Sequence, residues 1–251
     1  MSKYPLGQVV VFGGTGSIGE AIVRRFLKLG SNVTSVSRGA IEERQREKLK
    51  NECDVSRLKQ VFDDVTCPSD MDHMASNYQS RPLISDIIYA VGDCPPGGFD
   101  AEVATPLTDE ETSQRMLKTF KRHVTGLCNV VSSFHQYIQP GGCIVVIGSA
   151  ITRLTTETCP DWLFAGHYAA AIAAQAEYVK WLRMNDPNLR EKSILVHRIA
   201  PVAVDTVFHK GCEKQPPAML TLESVAERVF EATQSKVVDD CEMVPAPPRK
   251  D

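Results

Sequence analysis

The segment Phe12-Gly13-Gly14-Thr15-Gly16-Ser17-Ile18-Gly19 joins the apolar run Val9-Val10-Val11 to a stretch of amphipathic helical period. Glycines at a strand-to-helix turn allow a tight bend and a close backbone approach to a ligand. The helix that follows aims free N–H groups and its positive dipole end at the same point. Such a turn binds the pyrophosphate of a dinucleotide; the plainer alternative is a structural glycine turn. A second apolar run ends in Val36-Ser37-Arg38. A carboxylate there would take both ribose hydroxyls of NAD and repel a 2′-phosphate, whereas serine and arginine offer a hydroxyl donor and a guanidinium fork matched to phosphate. These residues favour NADP(H), with a solvated loop arginine as the alternative. Further on, Pro160-Asp161-Trp162 sets a carboxylate beside an indole. That pair suits a cationic, aromatic substrate, the indole face contributing about 0.5–2 kcal/mol through a cation–π contact. A turn cap at Asp161 and a core plug at Trp162 are the competing roles.

These residues need a scaffold that brings strand ends together. Short runs rich in valine and isoleucine mark strands at Gln8–Phe12, Asn32–Val36, Leu58–Phe62, Asp86–Val91, Cys143–Ile147, Ile194–Ile199 and Cys241–Val244. Their near-continuous apolar character suits parallel strands covered on both faces. Helical periods fall between them, at Ser17–Leu29, Pro68–Tyr78, Thr108–Tyr137, Ala165–Met184 and Leu222–Gln234, with a short charged helix within Ala40–Glu52. The alternation predicts a single α/β domain over residues 1–244, a Rossmann-like doubly wound parallel sheet with helices on both faces, and a solvated tail over 245–251.

Bulk composition narrows the function classes. The chain has 251 residues, 43% of them hydrophobic and 24% charged, which supports one large core. A formal charge of −3 without a basic stripe excludes a nucleic-acid partner. The start Met-Ser-Lys-Tyr-Pro has no apolar signal core and no apolar run approaches membrane-spanning length, so a cytoplasmic protein without a membrane partner is expected. Eight cysteines without a C-x-x-C pair argue for reduced thiols and no metal site.

In this order the segments resemble the short-chain dehydrogenase/reductase family along the whole chain. The resemblance implies further cofactor contacts: Gly13, Thr15, Gly16, Ser17, Ile18 and Gly19 in the first turn, and Asp64-Val65 against the adenine. Asp54-Val55 is a rival for that role. Ala90 and Gly92 stand in the place of the family's N-N-A-G segment, and Pro201, Val204 and Thr206 in the place of P-G-x-x-x-T. The turn departs from the family's T-G-x-x-x-G-x-G by Phe12 at the threonine and Ser17 at the middle glycine. The catalytic positions depart further. Ser149 and Tyr168 match the family's serine and tyrosine, but Ile172 replaces the lysine of Y-x-x-x-K, and His123 replaces the asparagine of N-x-x-G. Arg122 and His123 are adjacent on one helix, so at most one is expected to face the site. The family also implies a homodimer or homotetramer, built through the two long helices.

In that family the lysine lowers the tyrosine's pKa and holds the cofactor ribose, and isoleucine can do neither. Ketone reduction generates an alkoxide that needs a tuned proton donor. An iminium ion accepts hydride directly and calls mainly for a positioned cofactor and a nearby anion. The expected function is therefore NADP(H)-dependent action on a hydrophobic, cationic or imine-containing substrate, by hydride transfer, cyclisation or both, with Asp161, Trp162, Tyr168, Ser149 and His123 as site residues. A narrower similarity is to the short-chain-derived reductases, Diels–Alderases and Pictet–Spenglerases of fungal indole alkaloid pathways, in which an Asp-Trp segment belongs to the active site. A carbonyl reductase using Ser149 and Tyr168, and a non-catalytic NADP(H)-binding regulator, are the alternatives.

Overall fold

The computed structural model describes residues 7–39, 43–79, 83–92, 110–153, 166–206 and 219–243. Among them, seven strands form one parallel sheet: β1 (Gln8–Phe12), β2 (Asn32–Val36), β3 (Leu58–Val61), β4 (Ile84–Tyr89), β5 (Ile138–Ile147), β6 (Leu195–Pro201) and β7 (Asp240–Met243). Their spatial order is β3-β2-β1-β4-β5-β6-β7. The order reverses direction between β1 and β4, and in an open α/β sheet the crevice beyond the carboxyl ends of strands at such a point is where ligands bind.

Alternation along β1 explains the two layers. Val9 and Val11 point to one face, where they pack with Ile22 and Phe26 of α1 (Ser17–Lys28) and Val229 of α8 (Leu222–Gln234). Val10 and Phe12 point to the other, against Met71 and Met74 of α3 (Pro68–Ser76), Leu127 and Phe134 of α5 (Gly126–Phe134) and Val179 of α6 (Gly166–Asn185). Each such fully buried apolar side chain contributes about 1.5–3 kcal/mol relative to exposure. The remaining helices are α2 (Glu43–Glu52), α4 (Glu110–Phe120) and the single turn α7 (Pro187–Glu191). The short charged helix anticipated within Ala40–Glu52 is α2.

Three boundaries differ from the sequence expectation for identifiable reasons. β4 begins at Ile84 rather than Asp86 because its polar residues are buried and paired: Ser85 Oγ donates to the Gln8 carbonyl at 3.0 Å, and Asp86 accepts from the Cys143 thiol at 3.0 Å. β5 begins at Ile138, five residues before the expected start. Pro140-Gly141-Gly142 lies within the strand, with a register shift on its β4 neighbour between Ile84 and Asp86. Gly142 is tightly placed there, since a Cβ on it would lie 2.6 Å from the Ser85 carbonyl oxygen. The long helix expected over Thr108–Tyr137 is divided: α4 and α5 are joined by a π-helical turn at Lys121–Thr125, and the end is a 3-10 turn at His135–Tyr137. The expected tail at 245–251 lies outside the described residues.

Candidate functional site

A cleft of about 240 Å³ opens at the carboxyl ends of β1 to β4, lined by Gly13, Thr15, Gly16, Val36, Ser37, Arg38, Gly39, Asp63, Asp64, Val65, Ala90, Val91, Gly92 and Arg122. Nine expected cofactor residues come together here: Gly13, Thr15, Gly16, Ser37, Arg38, Asp64, Val65, Ala90 and Gly92. Ser17, Ile18 and Gly19 form the first turn of α1 beside it. Pro201, Val204 and Thr206 are not part of its lining. Pro201 ends β6, and Val204 and Thr206 follow it, Val204 forming an isolated parallel bridge with Leu220.

Glycine is required by the geometry of the first turn. Gly13 has φ +84°, and its missing Cβ would lie 2.6 Å from the Ala90 carbonyl oxygen. A Cβ on Gly19 would lie 2.1 Å from the Gly13 carbonyl oxygen, a collision with backbone that only a moved loop would relieve. The turn is laced to the end of β2 by Gly13 N–H donating to the Val36 carbonyl at 2.8 Å. Gly16 then caps α1 with extended backbone and no side-chain bond, so the free helix N-terminus faces the cleft side of the turn. This cradle, closed to any side chain at Gly13 and Gly19, fits a pyrophosphate.

Ser37 does something the sequence reading did not assign. Its hydroxyl donates to the Val36 carbonyl at 2.7 Å and accepts from Thr15 N–H at 3.1 Å, tying the glycine turn to β2. With its proton committed to backbone, Ser37 has no hydroxyl proton left to offer the cleft, which Arg38 lines beside it. Asp64 is likewise partly engaged, its Oδ1 accepting from Thr66 N–H and Thr66 Oγ at 2.9 Å each. Val65 beside it is buried and apolar. The rival Asp54 caps a 3-10 turn at Val55–Arg57 and is not among the cleft residues.

The π-helical turn separates Arg122 from His123 in function. Arg122 lines the cleft, whereas the His123 ring is 3% exposed and lies against Gly92, where a Cβ would be 2.4 Å from its Cε1. The same ring meets Tyr168 edge-on, with centroids 5.3 Å apart. Of the two neighbours, only Arg122 is among the cleft residues, as expected of adjacent positions on one helix, and His123 borders Tyr168 behind Gly92. Burial, followed by the neighbouring Arg122 charge, pushes the His123 imidazole down to about 4, so it is neutral at physiological pH. Its backbone carbonyl accepts from Gln175 Nε2 at 3.2 Å.

At the lysine position, Ile172 is fully buried and packs in a small apolar cluster with Ile151, Tyr168 and Ala169. Ser149 is buried, its Oγ accepting from Ile151 N–H at 3.3 Å and its carbonyl from Arg198 at 3.1 Å. Asp161 and Trp162 lie outside the described residues. Sequence reasoning missed Val36, Gly39, Asp63, Val91 and Arg122 as cleft residues. Only Arg122 carried a signal, as the charged neighbour of His123.

Among the described residues, no group of three or more His, Cys, Asp or Glu is arranged to hold a metal ion, and no helix is long and apolar enough to cross a membrane. A family model described as short chain dehydrogenase matches residues 8–217. No curated protein matches the chain. Three similar solved structures share the fold. A short chain dehydrogenase from Burkholderia cenocepacia, solved with NADP, is 17% identical with a TM-score of 0.72 over 95% of this chain and 88% of its own. One from Sphingobium yanoikuyae, solved with NADPH, is 19% identical with a TM-score of 0.72 over 93% and 87%. An alcohol dehydrogenase from the archaeon Thermococcus sibiricus, solved with 5-hydroxy-NADP, is 18% identical with a TM-score of 0.70 over 95% of each chain.

Proposed function

We propose that this chain, which belongs to the short-chain dehydrogenase family, is an NADP(H)-dependent enzyme acting on an imine or iminium of a hydrophobic, alkaloid-like substrate. The observation that carries the reading is the buried apolar cluster of Ile172 and Ile151 beside Tyr168, with the adjoining His123 held neutral. The tyrosine thus has neither the family's lysine nor a charged imidazole next to it to favour its anion. Structures of family members solved with NADP and NADPH add support for the cofactor.

In this reading the residues divide the work. Gly13 to Gly19 hold the pyrophosphate on the α1 N-terminus, Arg38 takes the 2′-phosphate, and Asp64 and Val65 meet the adenine. When bound, NADPH supplies the hydride. Asp161 stabilises positive charge on the substrate carbon–nitrogen unit, Trp162 offers a cation–π face, and Tyr168 and Ser149 orient the substrate by hydrogen bonds. A cyclisation on the same pocket, of Diels–Alder or Pictet–Spengler type, uses the same anion to hold or remove a proton. The carbonyl-reductase alternative needs a cation near Tyr168, which His123 does not provide. A panel of unactivated ketones and of cyclic imines, followed by NADPH oxidation, tests the reading. Imines are expected to turn over and ketones to turn over poorly; rapid turnover of simple ketones would favour the carbonyl reductase.

Assembly into a homodimer or homotetramer through α4 and α6 belongs to the same proposal. Leu117 on α4 and Trp181 and Met184 on α6 are exposed, at 63%, 48% and 60%. The alanines of α6 divide: Ala171 is buried against the protein's own core, whereas Ala173 is exposed and open to close helix approach. Light scattering at micromolar concentration should give a multiple of the chain mass, and a monomeric mass would remove this part of the proposal.

A further inference from the structure

We propose that Arg122 is a second cation of the dinucleotide cleft, set with Arg38 to hold the 2′-phosphate of NADP(H). The inference rests on the NADP(H) reading and adds to it a residue from a different element. Arg38 follows the end of β2 and Arg122 belongs to the π-helical turn between α4 and α5, yet both line the same cleft. The turn is held where it is. The Tyr89 hydroxyl donates to the Arg122 carbonyl, and Gly126 leaves room for that hydroxyl, since a Cβ there would lie 2.4 Å from it and 2.8 Å from Val65 Cγ2. Tyr89 is fully buried at the end of β4, so the backbone that carries Arg122 is fixed to the sheet.

Charge supplies the second part of the argument. Two guanidiniums lining one cleft repel each other: Arg122 is pushed below the usual arginine range, first by burial and then by Arg38, with Asp64 acting the other way. An anion between them relieves that repulsion. A phosphate monoester carries about −1.5 to −2 charges near neutral pH, more than one guanidinium balances. The pyrophosphate is provided for by the glycine turn and the α1 N-terminus, and Val65 offers the adenine an apolar surface. The 2′-phosphate is the remaining anion of the cofactor, and it belongs at the Arg38 end.

Calorimetric titration of the full chain with NADPH, NADH and adenosine 2′,5′-bisphosphate tests the inference. Arg122→Gln should weaken NADPH and the bisphosphate by about tenfold or more, equivalent to about 1.4 kcal/mol, while NADH changes by less than about threefold on the same scale. Arg122→Lys, which keeps a point charge, should recover much of the loss. Equal loss for NADPH and NADH, or no loss for either, overturns the inference. Hydrogen exchange on the unmodified chain gives an independent reading that needs no variant. The bisphosphate should protect the 121–126 segment more than adenosine 5′-monophosphate does, and equal protection by the two overturns the inference. If Arg38→Ala removes the preference for NADPH and Arg122→Gln does not, the inference fails and the cofactor reading stands. If the unmodified chain binds NADH as tightly as NADPH, both fail.

Discussion

Asp161→Asn should lower the turnover of a cyclic imine by about 10²–10³, the loss of about 2.7–4 kcal/mol of transition-state stabilisation that one well-placed charge supplies. The substitution keeps the shape and removes only the charge, so NADPH affinity should be unchanged. Tyr168→Phe is the informative partner. With an iminium substrate no alkoxide awaits a proton, so loss of the phenol should cost less than loss of the carboxylate. With a ketone the order reverses, because proton donation then falls on Tyr168. The apolar setting of that tyrosine, beside Ile172 and Ile151, is why the first order is expected. Steady-state kinetics of the two variants on one imine decides between them. An Asp161→Asn protein as active as its parent would return Asp161 to the role of a turn cap.

A second large effect is expected on stability. The His123 imidazole titrates near 4 in the folded chain, lowered first by burial and then by Arg122, against 6.5 as its ordinary value. Between those values the unfolded state binds more protons than the folded state, so folding stability rises with pH across that window and is lost as pH falls through it. The contribution is on the order of 3 kcal/mol when the whole window is crossed. His123→Asn, which cannot ionise, should lack it. Urea unfolding of the parent and of His123→Asn at pH 7, 5.5 and 4 should show the parent losing that much more stability on acidification. Parallel losses in the two proteins would mean that His123 is not held neutral by its site.

The sheet and the glycine turn were legible in the sequence because local pattern and tertiary role agree there. The boundaries of β1, β2 and α8 coincide with the ends of their apolar or amphipathic patterns, since Val9 to Phe12 alternate between two cores that α1, α3, α5 and α8 cover. β4 and β5 were less legible because what starts them is not apolar. Ser85 and Asp86 are buried with partners from β1 and β5, and Pro140-Gly141-Gly142, which reads as a turn, is inside a strand. The π-helical turn left no signal, as no proline or glycine cluster marks Lys121–Thr125, so the sequence did not tell which of Arg122 and His123 lines the cleft. At Ser37 the residue type was right for a phosphate, but the hydroxyl serves the neighbouring backbone, an allocation that only the positions of Val36 and Thr15 reveal. The loss of the lysine was visible as Ile172. That the neighbouring histidine is neutral depends on burial behind Gly92, which spacing alone does not encode.

The most direct test of the account is the affinity of the unmodified chain for NADPH and NADH, measured side by side by fluorescence titration at one ionic strength. NADPH should bind more tightly, and Arg38→Ala should weaken it by about 1.5–3 kcal/mol more than it weakens NADH, the value of charge-assisted bonds to phosphate. Equal affinities for the two dinucleotides in the unmodified protein would contradict the account.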